Sequence, residues 1–198
     1  MIQHALIKRS PKFLRWYRTH IMLDLDRLLA YLPAQGRLLD VGCGVGSLDY
    51  EIVHRRPALN VVGIDIDPTS VMLAQRYNTL PNVRYAHRPL QAVEGQFDCI
   101  LFVDVFHHVA AQEYDALLQT CTGLLRPSGY VLIKDIQRSR GYISWLMDRY
   151  ISGCTRVYLH NCDEMADIVS RHLCVLASRV CFRFPFPHYY IKAGRLPE

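Results

Sequence analysis

The stretch LLDVGCGVGSLD, residues 38–49, decides the fold. Its apolar opening predicts a buried strand, and glycines at positions 42, 44 and 46 follow directly. Glycine tolerates positive φ and lets the backbone approach a ligand closely, and the helix predicted over SLDYEIVHRR turns its N-terminus towards the same place. The stretch therefore predicts a strand, a tight ligand-binding loop and a helix, in that order.

The following hundred or so residues alternate short apolar runs with helical stretches. Further strands are predicted at NVVGID (60–65), NVRYAH (82–87), FDCILFV (97–103) and YVLIKDI (130–136). Asp67-Pro68 predicts the capped start of a helix, and the turn RPSG separates the helix AQEYDALLQTCTGLL from the last of these strands. Right-handed crossovers then give an α/β, Rossmann-like doubly wound sheet with helices on both faces and a ligand crevice at the carboxyl ends of the strands.

Two carboxylates stand at this crevice. Asp65 ends the second strand, where an acid can accept hydrogen bonds from both hydroxyls of a ribose, which predicts a nucleoside ligand. Ser47 stands where the dinucleotide fingerprint has its third glycine, so the loop departs from the NAD pattern. Asp40, just before the glycines, would repel a pyrophosphate and attract an ammonium or sulfonium group.

Four blocks of sequence resemble the class I methyltransferases that depend on S-adenosylmethionine. They are LLDVGCGVG, VVGIDIDPTSVMLAQ, FDCILFVDVFHHV and LLRPSGYVLIKD, which occur in the family's order and cover about residues 36–136. The resemblance implies a seven-stranded sheet whose last strand is antiparallel. The end of the chain, CVLASRVCFRF and HYYIKAG, would then supply a closing hairpin.

The resemblance also implies the cofactor, S-adenosylmethionine, and the residues that hold it. The acid and glycines of the first loop face the methionine part, Asp65 holds the ribose, Ile66 packs on the adenine, and the segment after the fourth strand lines the site. The cofactor residues expected on this basis are Asp40, Gly42, Cys43, Gly44, Gly46, Asp65, Ile66, Leu90, Asp104, Val105 and Phe106.

One position departs from the family's pattern. Where the family often has an acid after the third strand to bind the adenine amino group, this chain has the sequence HRPL. Pro89 cannot make that bond, whereas Leu90 still offers a backbone N–H. We therefore expect adenine to bind less tightly than is usual in the family.

Histidines are the candidate bases. Methyl transfer needs in-line positioning above all, but an acceptor with a weakly acidic proton also needs a group that removes it. His107 and His108 follow Asp104 at the crevice, and His188 lies in FPHYYI near the end of the chain. Each has the alternative role of a hydrogen-bonded packing residue, as has His160. We expect no metal ligands, because the seven cysteines are scattered without the spacing of a zinc site.

Aromatic side chains flank the cofactor-binding core. In this family the segments before and after the core form the acceptor pocket, and here they carry Trp16, Tyr17, Tyr142 and Trp145. They favour a small hydrophobic or aromatic acceptor such as a lipid, quinone-like or polyketide-like metabolite. The alternative is that these rings fill the core.

Length and composition favour a single domain over residues 1–198. Half of the residues (51%) are hydrophobic, which is enough to build a core. We divide the chain into an N-terminal helical lid (1–33), a cofactor-binding core (36–136), and an acceptor-side insert with the C-terminal hairpin (137–198). No signal sequence or membrane span is evident in the sequence, so we expect a cytoplasmic protein.

The net charge of +5 leaves two partners open besides a small molecule. Five basic residues without an acid among them stand in the first twenty positions, where they form a solvated helix face or a peripheral contact with anionic lipid. Nucleic acid is a less favoured partner. Methylation of RNA or protein, a non-catalytic nucleoside-binding scaffold and an NAD-dependent dehydrogenase are the competing functions; the glycine spacing disfavours the last.

Overall fold

The computed structural model describes residues 24–138, 158–183 and 186–197, and within them a mixed sheet of seven strands. The helices are α1 (Leu25–Tyr31), α2 (Ser47–Arg55), α3 (Pro68–Tyr77), α4 (Tyr114–Leu124) and α5 (Cys162–Ser170). The strands are β1 (Gly36–Val41), β2 (Leu59–Asp65), β3 (Val83–His87), β4 (Phe97–Val103), β5 (Leu125–Ile136), β6 (Cys174–Arg183) and β7 (Phe186–Gly194).

The sheet has the strand order β3-β2-β1-β4-β5-β7-β6. The first five strands are parallel, and β1 lies between β2 and β4, so that Asp40 is beside Gly63 on one side and Leu101 on the other. The chain winds outwards from β1 to β3 and then returns to the other side of β1 as β4. The crevice between the ends of β1 and β4 is therefore the switch point at which such sheets bind ligands.

Alternate residues of the central strands feed two separate cores, as the pleat of a strand requires. Leu38 and Leu101 face α1, α2 and α3, whereas Leu39 and Ile100 face α4 and α5. All four side chains are completely buried. The prediction of a doubly wound sheet with helices on both faces is thus confirmed.

Local capping explains where the predicted helices begin. Asp67 accepts hydrogen bonds from the backbone N–H groups of Thr69 and Ser70, both at 3.1 Å, and Pro68 occupies the first turn of α3. Helix α5 begins with a capping box in which Asn161 and Glu164 each bond the other's backbone N–H. Helix α1, at the end of the predicted helical lid (1–33), is capped by Asp24, and the part of the lid before residue 24 lies outside the described residues.

The C-terminal hairpin has the predicted arrangement. Strand β7 pairs antiparallel with β5 on one side and with β6 on the other, placing Tyr190 opposite Lys134 and His188 opposite Ile136. Strand β6 forms the edge of the sheet. The expectation of a seven-stranded sheet whose last strand is antiparallel is confirmed.

The turn predicted at RPSG is instead part of strand β5. Phe97 pairs with Leu125 and Cys99 with Tyr130, so residues 126–129 bulge outwards between two paired positions. Arg126 holds this bulge against β4 through hydrogen bonds of 2.9 and 3.0 Å to the Asp98 carboxylate. The strand begins earlier than the turn signal indicates because Leu125, the residue before the turn, already pairs with Phe97 of β4.

Trp16, Tyr17, Tyr142 and Trp145 lie outside the described residues. Within the described ranges, no helix is long and apolar enough to cross a membrane. The same residues contain no group of three or more His, Cys, Asp and Glu side chains able to hold a metal ion.

One buried carboxyl in α2 makes the stability of the fold depend on pH. Asp49 is fully buried, and the polar side chains next to its carboxyl are those of Asp40 and Tyr85. Burial raises the pKa of Asp49 from 3.8 to about 6, although the Asp40 and Tyr85 side chains offset part of the effect. Between these two values the folded protein holds a proton that the unfolded chain releases, so the free energy of unfolding falls as the pH rises from about 4 to 6.

We predict that Asp49→Asn stabilises the protein at pH 8 by roughly 2–3 kcal/mol, because the neutral amide avoids burying a charge. The gain should shrink to about half at pH 5 and vanish near pH 3. Urea unfolding at the three pH values measures it, with the partly exposed Glu51→Gln on the same helix as the control. Destabilisation at pH 8, or an effect that does not change with pH, would contradict the prediction.

Candidate functional site

The glycine loop between β1 and α2 is fixed by its own backbone. The N–H groups of Gly42 and Cys43 both donate to the Ile64 carbonyl of β2, at 2.8 and 3.0 Å. Gly42 has a φ of 78°, and a Cβ at this position would lie 2.7 Å from a methyl group of Val105. Glycine is required here because the loops after β1 and β4 touch. The structure thus places Val105 directly against the glycine loop.

Asp65 links the end of β2 to the glycine loop. Its Oδ2 accepts a hydrogen bond of 2.8 Å from the Gly44 N–H, and its Oδ1 accepts one of 2.9 Å from the Asp67 N–H. A carboxylate oxygen has two lone pairs, so each can still accept a hydroxyl. Ile66 follows with 77% of its surface exposed, an apolar face directly beside this carboxylate.

Asp40 and Cys43 are both buried near the loop. Burial, and next the carboxylates of Asp49 and Asp40, raise the pKa of the Cys43 thiol far above its ordinary range, so the thiol stays neutral. Cys43 can therefore take part in binding through its backbone rather than as a nucleophile.

Two of the expected cofactor residues have their side chains in the core. Leu90 is 3% exposed and starts a short 3₁₀ turn (Leu90–Ala92) after β3. Phe106 is 1% exposed and packs against Phe102 and Tyr114, with ring centroids 5.0 and 5.3 Å apart. Any contact that these two residues make with a ligand must come from their backbone.

Asp104 directly follows the fourth strand, in a strained backbone conformation. Its φ of 58° is positive, which no other non-glycine residue shows in the described part of the chain. Its Oδ1 accepts a hydrogen bond of 2.7 Å from the Nζ of Lys134, a side chain almost wholly buried. Burial acts to raise the pKa of Asp104, but Lys134, His188 and His107 outweigh it and lower the pKa to about 2. Asp104 is therefore a fixed anion.

His107 is held by a second acid. Its Nδ1 lies 2.5 Å from Asp135 Oδ1, its backbone N–H donates to Asp135 Oδ2 at 3.2 Å, and both side chains are buried. The exposed ring of His108 lies against that of His107, with centroids 3.9 Å apart. Such an acid fixes the orientation of an imidazole and stabilises its charged form. The Asp135–His107 pair can accept a proton.

The other two histidines lie on different elements. His188 of β7 is 6% exposed and lies close enough to Asp104 to help lower the pKa of that carboxyl. His160 Nε2 lies 2.9 Å from the Tyr114 hydroxyl, and burial lowers the pKa of His160. His160 is thus a packing residue bonded to a buried tyrosine.

Lys134 and Asp135 were missed as site residues, although both stand in the strand YVLIKDI. Charged side chains inside an otherwise apolar, central strand are the signal that could have found them, because a buried charge needs a partner. Their partners come from β4 and the turn after it, some thirty residues earlier in the chain.

Comparison with known proteins agrees with this geometry. A family model described as a methyltransferase domain matches residues 13–177. A ubiquinone biosynthesis O-methyltransferase of Cereibacter sphaeroides is 33% identical over 141 residues, which are 68% of this chain and 56% of that protein. The protein of the same name from Psychrobacter cryohalolentis is 30% identical over 143 residues, 66% of this chain and 54% of the relative. The chain spans about half the length of these relatives.

Solved structures share the fold at low identity. Magnesium protoporphyrin IX methyltransferase from Synechocystis, with bound S-adenosylhomocysteine, aligns with a TM-score of 0.68 at 19% identity and 98% coverage of both chains. Human N-acetylserotonin methyltransferase, in complex with S-adenosylmethionine, has a TM-score of 0.73 at 16% identity, covering 98% of this chain and 60% of the other. With the family model covering most of its length, the chain belongs to the methyltransferase domain family, as its four sequence blocks predicted.

Proposed function

We propose that this protein transfers a methyl group from S-adenosylmethionine to a small, hydrophobic or aromatic acceptor. The observation that carries the proposal is the hydrogen bond between Gly44 and Asp65 at the switch point. It fixes a glycine loop and a ribose-binding acid as one unit, beside the exposed apolar surface of Ile66.

The charges of the crevice fit this cofactor better than a dinucleotide. Asp40, Asp65 and Asp104 all stand at the ends of neighbouring strands. Because Lys134 offsets the charge of Asp104, a pyrophosphate would be repelled by Asp40 and Asp65, whereas the ammonium and sulfonium groups of S-adenosylmethionine would be attracted to them. In this arrangement the 42–46 loop and Asp40 hold the methionine part, Asp65 the ribose, and Ile66 with the Leu90 backbone the adenine.

The Asp135–His107 pair supplies the base in this proposal. The cofactor, when bound, provides a methyl group on a sulfonium whose thioether is a good leaving group. Nε2 of His107 would take the proton of the acceptor hydroxyl as the methyl group moved from the sulfonium to the acceptor oxygen and the thioether left. Asp135, on Nδ1, stabilises the imidazolium that results. His108 and His188 are the alternative bases.

We assign the acceptor to the quinone-like class. Two curated relatives at 30% identity or more are named for ubiquinone biosynthesis, which favours a phenolic hydroxyl attached to an apolar group. The aromatic residues Trp16, Tyr17, Tyr142 and Trp145 would line the acceptor pocket, and the basic N-terminal segment would contact the lipid surface from which such an acceptor comes. In this proposal residues 1–198 act as one cytoplasmic domain.

The cofactor assignment predicts that Asp65→Ala weakens binding of S-adenosylhomocysteine by roughly 30- to 150-fold, because two charge-assisted hydrogen bonds to the ribose are lost. Isothermal titration calorimetry measures the affinity. Asp115→Ala, which removes a distant exposed acid of α4, is the control for the change in net charge. If the folded wild-type protein bound neither S-adenosylhomocysteine nor S-adenosylmethionine, the proposed function would be overturned in favour of a non-catalytic scaffold.

The assignment of the base predicts that His107→Asn lowers kcat by about 100-fold or more with an alkylated catechol or hydroquinone as acceptor. Asp135→Asn should lower kcat in the same direction and shift the pH–rate profile. The affinity for S-adenosylhomocysteine should stay within about twofold in both variants, since neither residue holds the cofactor. His108→Asn is the matched control, and a larger kcat loss in that variant would move the role of base to His108.

A further inference from the structure

Tyr85 lies beneath the glycine loop although it belongs to β3, two strands away. Its side chain is 8% exposed and crosses under β2 to reach the loop. A Cβ on Gly63 of β2 would be 2.7 Å from the Tyr85 ring, and a Cβ on Gly46 would be 2.4 Å from the Tyr85 hydroxyl. The ring therefore fills a space that exists only because positions 46 and 63 are both glycine.

The Tyr85 hydroxyl is part of a small hydrogen-bonded cluster at Gly46. Asn78, the residue that ends α3, is 6% exposed and donates from Nδ2 to the Gly46 carbonyl at 3.1 Å and to the Tyr85 hydroxyl at a very short distance. The Tyr85 hydroxyl in turn lies 3.4 Å from the same carbonyl and also faces the buried carboxyl of Asp49 at the start of α2. The side chains of Tyr85 and Asn78 thus both contact the Gly46 carbonyl of the loop.

That peptide is the last fixed point of the loop. The first residues of the loop are held by the Ile64 carbonyl, and the middle of the loop is held by Asp65. Gly46, with a φ of 72°, also caps helix α2. Freedom at Gly46 would change the position of both the loop and the helix N-terminus behind it. A site that is fixed before the ligand arrives loses less entropy on binding.

We propose that Tyr85, together with Asn78, is a positioning residue that holds the glycine loop in its cofactor-binding conformation. The inference rests on the proposed function, because the cofactor gives the loop its role. Tyr85 does not itself touch the ligand: the loop peptide stands between them. Its contribution should therefore be seen in cofactor affinity, and the acceptor KM should be unchanged.

The first test is Tyr85→Phe, which keeps the ring under Gly46 and Gly63 and removes only the hydroxyl. We expect S-adenosylhomocysteine to bind about five- to tenfold more weakly, as for the loss of one hydrogen bond. Tyr130→Phe is the matched control. It removes a tyrosine hydroxyl that donates to a backbone carbonyl, that of Tyr31, at 2.6 Å, on a part of the sheet away from the loop. Both variants should lose thermal stability, but only Tyr85→Phe should lose affinity.

The second test needs no ligand. Amide hydrogen exchange at residues 44–46 should be faster in Tyr85→Phe than in the wild type and unchanged in Tyr130→Phe. Asn78→Ala should give the same exchange pattern, and the double variant should add little, because the two side chains act on one carbonyl.

Two outcomes separate the inference from the proposed function. In the first outcome, the wild type binds S-adenosylhomocysteine, Tyr85→Phe binds it with an affinity within twofold of the wild type, and amide exchange at residues 44–46 is unchanged. That result would overturn the role of Tyr85 and leave the methyltransferase assignment intact. Failure of the wild type to bind would overturn the proposed function, and the exchange measurement would still decide whether Tyr85 holds the loop.

Discussion

The hydrogen bond from the Gly44 N–H to the Asp65 carboxylate connects the ends of two neighbouring strands across the mouth of the crevice. It is short, charge-assisted and half-buried, and it depends on β1 and β2 being in the right register. The pairing of Val41 with Ile64 sets that register, and the Ile64 carbonyl then receives the first two N–H groups of the loop. The backbone of the loop is thus determined by the sheet beneath it, and any ligand of Asp65 also meets the loop.

Charge is distributed unevenly around this unit. Asp104 is matched by a buried lysine and stays ionised, whereas Asp49, beneath the loop, has no such partner and takes up a proton more readily. The two acids differ because β5 places an ammonium next to one and only tyrosine and carboxyl groups approach the other. Asp104 therefore stays ionised as one half of a neutral ion pair, whereas the Asp49 carboxyl is the one whose protonation changes with pH.

Local signals were enough to predict the first half of the fold. The glycines after β1, the Asp67–Pro68 cap and the buried run over 97–103 each depend on residues close together in sequence, and each element appears within a residue or so of its expected bounds. The hairpin followed only from the resemblance to a family. Strand β5 began earlier than expected because Leu125 pairs with Phe97 of β4, a long-range pairing that no local pattern contains.

The candidate site divides in the same way. Asp65 and the glycines were predictable because each lies in a short stretch of sequence whose pattern alone indicates its role. Asp135 became visible only when the fold placed it beside His107, and Tyr85 resembled an ordinary strand tyrosine until the sheet brought it under Gly46. Residues that act on a site from a neighbouring strand carry no sequence signal of their own beyond being polar where an apolar residue is expected.

Strand β5 unites the two halves of the crevice. Lys134 and Asp135 are consecutive in an extended strand, so their side chains point to opposite faces of the sheet, one towards Asp104 and the other towards His107. Strand β7 covers both, with Tyr190 opposite Lys134 and Tyr189 opposite Asp135, which leaves each charged residue 1% exposed. Excluding water strengthens the Lys134–Asp104 ion pair and the Asp135–His107 hydrogen bond, and a charged group left there without its partner would be costly. The antiparallel hairpin therefore does more than form the edge of the sheet. It helps to exclude water from Lys134 and Asp135, the two residues through which β5 orients the anion Asp104 and the proposed base His107.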